Sequence, residues 1–208
     1  MKFIRLGALF WSIVLLVATS ITMLNKRTQL RDELDDRVTA AAFVATESVQ
    51  STLGRATAVV DVAAASADVN DGTLEALVLS MDGASACAID ATGERCTGAS
   101  LFATEAFDTG AELSASNGGR AVVIADESAD SVLVVAAHDV TVALQLPASG
   151  LVSDPASQSI SKLDATAAVS VSSAASTQPG VDGPDTIDGE VAVTTTIGLP
   201  ASAPGGVV

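Results

Sequence analysis

The feature that constrains this chain most is an apolar run close to its N-terminus. Residues 6–24, LGALFWSIVLLVATSITML, contain no charged side chain. As a helix this run would be about 28 Å long, which matches the hydrocarbon core of a bilayer. We therefore predict a transmembrane signal-anchor at 6–24, preceded by a short basic cytoplasmic tail at 1–5. The alternatives are a signal peptide cleaved after Ser20 and a buried soluble helix.

Basic residues lie on both sides of this run. Two precede it and four follow it closely: Lys2 and Arg5, then Lys26, Arg27, Arg31 and Arg37. Counted over these residues, the positive-inside rule places the following domain in the cytoplasm. Long domains are translocated largely regardless of nearby charge, however, and a short basic head before an apolar run is typical of an export signal. We therefore expect a single-pass protein of the cell membrane whose large domain is extracytoplasmic.

Charge is divided unevenly along the chain. The formal net charge is −15, and seven of the ten Lys and Arg residues lie within the first 55 residues. The rest of the chain is therefore strongly acidic, and such a surface repels nucleic acid. We expect the membrane as a partner of the N-terminal run and no nucleic-acid partner.

A long juxtamembrane helix is predicted directly after the anchor, at residues 25–66. This stretch contains no Pro and one Gly, Gly54, which is the expected place for a break. Its apolar residues recur every three or four positions and form one stripe: Leu30, Leu34, Val38, Ala41, Ala45, Val49, Leu53, Ala56 and Val60. The stripe predicts either a homodimer through the long helix or packing of the helix on its own sheet.

The apolar periodicity becomes strand-like after a short predicted helix at 73–80. ASACAID and ERCTGAS flank the polar turn DATG, and AELSAS and RAVVIAD flank NGG at 117–119, the strongest hairpin signal in the chain. A helical crossing is expected at 101–107, and SVLVVAAH and TVALQL complete five or six strands.

These patterns together predict an α+β fold. The N-terminal transmembrane helix continues into the long helix, which packs on an antiparallel sheet formed by residues 67–152. Residues 153–208 form a tail rich in Ser, Gly and Pro, with two candidate strands at 165–171 and 190–197.

The only two cysteines, Cys87 and Cys96, flank the DATG turn. In a loop of two or four residues centred on Ala91 and Thr92 the cysteines lie opposite each other, whereas a three-residue loop would point their sulfurs to opposite faces. We predict a disulfide, which requires an oxidising compartment and agrees with export. Two unpaired thiols are the alternative.

The sequence contains no recognisable catalytic motif, because G-x-S-x-G, the P-loop and G-x-G-x-x-G after a strand are absent. One histidine and two close cysteines also do not supply the usual zinc ligands. We expect no enzymatic activity, no metal and no cofactor.

Three residues are candidates for ligand binding: Arg120, His138 and Asp139. Arg120 would pair with a ligand carboxylate or balance a neighbouring Asp. His138 is a candidate pH sensor, or it is a polar residue of the turn that it forms with Asp139.

The order of these elements resembles that of the extracytoplasmic Cache or PAS-like sensor domains of bacterial membrane signalling proteins. The residues that carry the resemblance are AIDATGE at 88–94 and VLVVAAHDVTVALQLPASGLV at 132–152, within a region covering 25–152. The resemblance implies that 132–152 form the last two strands of the sheet. The aromatic and Arg/Asp residues that hold amino-acid ligands in many such domains have no clear counterparts here, so no ligand carries over.

The resemblance implies a membrane-anchored extracytoplasmic module that senses or binds a small molecule, in one form a truncated signal-transduction receptor without its output domain. The alternative is a pilin-like or other structural subunit of the cell envelope, since such subunits also join an apolar N-terminal helix to an antiparallel sheet. The sequence lacks a processing site of the Gly-Phe-Thr-Leu-Ile-Glu type, and no Glu lies in residues 1–32.

Overall fold

The fold combines a long N-terminal helix with a five-stranded antiparallel sheet, which confirms the predicted α+β class. The computed structural model describes residues 2–66, 69–83, 85–91, 93–98, 104–126, 129–169 and 171, with short strands between 180 and 196, and it describes side chains within residues 19–171. The elements in chain order are α1 Lys2–Ala64, α2 Asp71–Met81, β1 Ser85–Asp90, β2 Gly93–Gly98, α3 Thr104–Ser116, β3 Val122–Asp126, β4 Ser131–Ala137, β5 Thr141–Pro147, α4 Asp154–Ser161, β6 Gly180–Val181, β7 Asp185–Ile187, β8 Glu190–Ala192 and β9 Thr195–Thr196.

The strand order of the main sheet is β2-β1-β5-β4-β3, and every neighbouring pair is antiparallel. Alternate residues of each strand face opposite sides of the sheet. One side packs against α1 and α2 through a large apolar cluster that includes Ala86, Val134, Val142 and Leu144. The other side packs against α3 through a smaller cluster. The sheet is therefore covered on both faces.

The long helix α1 runs without interruption through Gly54, which is exposed on its surface. The C-terminal half of the predicted stripe is buried in the large cluster: Val49, Leu53, Ala56 and Val60. The N-terminal half is different, since Leu30 is 59% exposed and Leu34 is 47% exposed. Packing of the helix on its own sheet is therefore confirmed for its C-terminal half only.

The predicted hairpin around NGG at 117–119 is wrong. Residues 111–116 form the second half of α3, which leads through a turn into β3. Gly118 and Gly119 both have positive φ, and the N–H of Gly119 donates to the carbonyl of Ser114 at 2.8 Å. Glycines with positive φ are needed to end a helix as well as to form a tight hairpin, so the motif predicts either turn.

The tail begins with a helix that the sequence pattern did not indicate. Residues 154–161 form α4, which packs on α1, and Ile160 is buried. The candidate strand at 165–171 is not observed at the described positions 165–169 and 171. The candidate strand at 190–197 corresponds to the short strands β8 and β9, while positions 193, 194 and 197 lie outside the described residues.

The predicted anchor at 6–24 lies mostly outside the residues whose side chains are described, because 2–18 are described only by their helical backbone. Within the described side chains, no helix contains a stretch that is long and apolar enough to cross a membrane.

Candidate functional site

The hairpin of β1 and β2 carries the disulfide between Cys87 and Cys96, as predicted. The two residues are direct partners in the strand register, with their Cα atoms 4.1 Å apart. Gly93 has a φ of 138°, and its N–H donates to the side chain of Asp90, which closes the turn. The register and the disulfide therefore agree, because only this pairing points both sulfurs to the same face.

One group of potential metal ligands is found among the described residues: Cys87, Glu94 and Cys96, whose ligand atoms lie within 4.8 Å of one another. Both sulfurs belong to the disulfide. Cysteine binds a metal as the thiolate, and the oxidised pair supplies none, so Glu94 is the one ligand that remains. This group is therefore a covalent link between two strands.

The predicted ligand-binding residues meet at one end of the sheet. Arg120 immediately precedes β3, while His138 and Asp139 form the turn between β4 and β5. Val122 pairs with Val135, so the same register continued outward brings Arg120 and Gly119 opposite the start of that turn. We call Gly119, Arg120, His138 and Asp139 the basic end, after its Arg and His.

Gly119 allows the imidazole of His138 to lie directly against the backbone. A Cβ atom at this position would be 2.5 Å from Nδ1 of His138 and 2.9 Å from the carbonyl oxygen of Ala137. Arg120, His138 and Asp139 are all exposed. The two salt bridges found among the described residues join Arg37 with Glu33 and Arg95 with Asp90, so neither involves Arg120.

A buried hydroxyl holds the basic end together. Ser114 in α3 is fully buried; its Oγ donates to the carbonyl of Arg120 and accepts the N–H of Ala137, both at 2.8 Å. One side chain thus links the end of α3, the residue before β3 and the end of β4. A buried hydroxyl with both bonds satisfied fixes the relative positions of these three segments.

The long helix is also bonded to the basic end. The carboxylate of Asp61 in α1 accepts the backbone N–H of Ala121, the residue after Arg120. A carboxylate that accepts a backbone N–H makes a stronger hydrogen bond than a neutral acceptor does. Arg120 is therefore one residue away from a hydrogen bond to α1.

A second polar feature was not predicted from the sequence. Ser85, Gln145 and Ser131 are each no more than 2% exposed, and they form a row across β1, β5 and β4 on the α3 side of the sheet. The hydroxyl of Ser85 donates to Oε1 of Gln145, and Nε2 of Gln145 donates to Oγ of Ser131, both at 2.9 Å. We call these three residues the polar row.

The polar row ends beside Asp126, which is 4% exposed and is the strand partner of Ser131. Along β4, Ser131 and His138 are seven residues apart, so the polar row and the basic end are separated by about 23 Å. They are two sites and not one. The amide of Gln145 within an otherwise apolar strand was the one signal in the sequence for the polar row.

Comparisons with known proteins do not identify the chain, since no protein-family model, no curated protein and no solved structure matches it. The interpretation of the site therefore depends on its own geometry.

Proposed function

We propose that this chain is a membrane-anchored extracytoplasmic module that senses or binds a small molecule. The fold supports this proposal because a long N-terminal helix packs on one face of an antiparallel sheet, the arrangement expected for the Cache or PAS-like domains that the sequence resembles. In chain order, β4 and β5 are the last two strands of the five-stranded sheet, which agrees with what the resemblance implies for 132–152.

The hydrogen bond from Ala121 to Asp61 is the observation that carries the proposal. It joins the exposed basic end to a helix that extends about 60 Å beyond that point toward the N-terminus of the described side chains. A ligand that contacts Arg120 and His138 and moves the start of β3 would displace α1 relative to a membrane or a partner helix. A carboxylate is the ligand group that an exposed guanidinium and imidazole favour.

The disulfide supports the proposed compartment. Disulfides persist in oxidising environments and are rare in the cytosol, so the bond between Cys87 and Cys96 supports an extracytoplasmic domain. The high net negative charge of the chain favours the solubility of this domain.

Exposed apolar residues on the N-terminal half of α1 support a homodimer. Leu30 and Leu34 lie on the same stripe as the buried Val49 and Leu53, but no other described segment covers them. A single helix with exposed Leu residues and no tertiary contact is marginally stable in water. Pairing of this segment with its copy in a second chain would bury the stripe.

Labelling of single cysteines tests the topology. Ser161→Cys at the end of α4 is expected to react with a membrane-impermeant maleimide in intact cells, whereas Lys2→Cys is expected to react only after lysis. Both positions lie far from the native disulfide in sequence, and the native cysteines are oxidised. Labelling of Lys2→Cys alone in intact cells would reverse the topology.

Ligand screening tests the sensing role. The full-length chain, in a mild detergent, is screened against small carboxylates by thermal shift. Binding is expected to weaken about tenfold or more in Arg120→Gln and to be retained in Arg31→Gln, a matched exposed arginine on α1. If no carboxylate stabilises the chain and the purified protein assembles into filaments, the structural envelope subunit replaces the sensor as the proposal.

A further inference from the structure

The hairpin of β1 and β2 brings three potential metal ligands together, and their chemistry depends on the redox state of the cysteines. The ligand atoms of Cys87, Glu94 and Cys96 lie within 4.8 Å of one another, and Sγ of Cys96 lies 3.3 Å from Oε1 of Glu94. In the disulfide the two sulfurs are not thiolates. Reduction would turn the same cluster into two thiolates and one carboxylate, all of which are zinc ligands.

The strand register holds these three positions together without help from the disulfide. Six cross-strand pairs join β1 to β2, and β1 also pairs with β5 on its other side. The turn is closed by Asp90, which accepts the N–H of Gly93 and forms a salt bridge with Arg95. Glu94 and Cys96 are two residues apart in one strand, so they share a face of the sheet. We therefore expect the reduced hairpin to keep its ligands in place.

Exposure determines which sulfur a reductant reaches first. Cys96 is exposed on the edge strand β2, whereas Cys87 is 2% exposed. A thiolate of an external dithiol attacks Sγ of Cys96 and releases Cys87 as a thiolate. The second thiol of the reductant then attacks the mixed disulfide and frees Cys96, and the reductant leaves as a cyclic disulfide. The dithiol has then given two electrons and two protons to the cysteine pair.

Charge around the reduced cluster favours a cation. Two thiolates and the carboxylate of Glu94 would place three negative groups side by side, in a chain whose net charge is already −15. Arg95, the basic residue of β2, alternates with Glu94 and Cys96 and therefore faces the other side of the sheet, where it pairs with Asp90. The ligands of a tetrahedral zinc ion lie about 3.5 to 3.8 Å from one another, a spacing that side-chain rotation reaches in this cluster.

We propose that the reduced hairpin is a binding site for a thiophilic divalent cation of the zinc class. The thiolates of Cys87 and Cys96 and the carboxylate of Glu94 bind the ion, and water completes the coordination on the exposed side. Each thiol releases its proton to solvent as it binds. The disulfide and the metal exclude each other, so an oxidising compartment keeps the site closed and a dithiol opens it. This proposal differs from the expectation, drawn from the sequence, that the chain binds no metal, and it does not rest on the sensory role of the basic end.

Titration with Cd²⁺ tests the proposal, because cadmium–thiolate bonds absorb in the ultraviolet and the chain has no cysteines besides these two. The full-length chain in a mild detergent is reduced with dithiothreitol, freed of it under nitrogen and compared with the oxidised chain. The reduced chain is expected to bind one Cd²⁺ with this absorption band, and Zn²⁺ is expected to displace it. If the reduced chain shows no saturable band below about 100 µM Cd²⁺, or if the oxidised chain shows the same band, the proposal is overturned.

Substitutions identify the ligands. Cys96→Ser is expected to abolish saturable binding. Glu94→Gln is expected to weaken it about tenfold or more, since loss of even an outer-shell group lowers metal affinity about 10- to 100-fold. Glu105→Gln, which removes an exposed carboxylate from α3, is the matched control and is expected to leave affinity unchanged. Equal affinities in Glu94→Gln and Glu105→Gln would overturn the three-ligand site. Loss of the sheet signal in circular dichroism on reduction would also overturn it, because the site depends on the strand register.

Discussion

The two faces of the sheet are built differently. The face toward α1 and α2 is packed with aliphatic side chains that form one large cluster. The face toward α3 has a smaller cluster, formed by Val122, Leu133, Val135 and Ala143, and it also carries the polar row and Cys87. Apolar burial is non-directional, whereas hydrogen bonds and a disulfide fix geometry. The comparison indicates that the α1 face supplies most of the stability and that the α3 face fixes the positions of the strands.

The largest expected effect comes from cavities in the two faces. Leu144 and Leu133 are both fully buried, the first on the α1 face and the second on the α3 face. We expect Leu144→Ala to lower the free energy of unfolding by about 4 kcal/mol and Leu133→Ala by about 3 kcal/mol, because the cost depends on how well the site collapses. Leu144 belongs to the larger of the two clusters, so we expect the α1 face to relax less around a cavity than the α3 face.

Urea denaturation followed by circular dichroism measures both values. The pair of substitutions is its own control, since the residue types and their burial are the same. A larger loss for Leu133→Ala would contradict the assignment of the α1 face as the main source of stability.

The disulfide is the next largest contribution, and it belongs to the α3 face. The double variant Cys87→Ala and Cys96→Ala is expected to have a free energy of unfolding about 2.7 kcal/mol lower than that of the wild type. This is the chain-entropy value for closing a ten-residue loop. Denaturation of the wild type with and without reductant gives an independent value without a substitution. If reductant leaves the unfolding midpoint unchanged, the bond does not constrain the hairpin in solution.

The hydrogen bonds of the polar row are expected to contribute about 2 kcal/mol to the free energy of unfolding. Gln145→Leu leaves the hydroxyls of Ser85 and Ser131 buried without their partner, which is more costly than removing all three polar groups together. The triple variant Ser85→Ala, Gln145→Leu and Ser131→Ala should therefore be more stable than Gln145→Leu alone. The same urea experiment measures each variant. If the triple variant is no more stable than Gln145→Leu, or if its loss equals the sum of the three single losses, the three residues do not act as one network.

The sequence predicts the elements whose signals are local and fails where the signal depends on tertiary contact. The β1–β2 hairpin and the disulfide follow from the turn and the positions of Cys87 and Cys96. The polar row does not, because a single Gln next to Leu144 and Leu146 does not indicate which polar side chains it meets on the neighbouring strands. The three side chains of the polar row are nevertheless buried in the folded chain.

The error at 111–116 has a similar cause. Ala111 and Leu113 alternate with polar residues, which is a strand pattern, and NGG follows them. The helical face of α3 is instead formed by Phe107, Gly110, Ala111 and Ser114, where a Gly and a Ser take positions that an apolar pattern would assign to larger side chains. A Cβ at Gly110 would be 2.6 Å from Cγ2 of Val135, so the helix requires glycine to approach the sheet. The candidate site at Arg120 and His138 could be named from the sequence, but the roles of Ser114 and Asp61 depend on contacts that the fold creates.

The smallest expected effect is at the turn that follows α3, where two glycine substitutions distinguish backbone strain from the contact with His138. Gly118 and Gly119 both have positive φ, but a Cβ at Gly118 meets open space, whereas one at Gly119 meets the imidazole and the carbonyl of Ala137. Each alanine substitution costs about 1 kcal/mol for the left-handed backbone. We expect Gly119→Ala to cost about 1 kcal/mol more than Gly118→Ala, because the imidazole has to move and the carbonyl remains close.

Adding His138→Ala to Gly119→Ala should recover part of this difference, while adding it to Gly118→Ala should recover none. If the two glycine variants have the same free energy of unfolding, His138 does not rest on Gly119, and the basic end lacks the fixed geometry that a binding site requires.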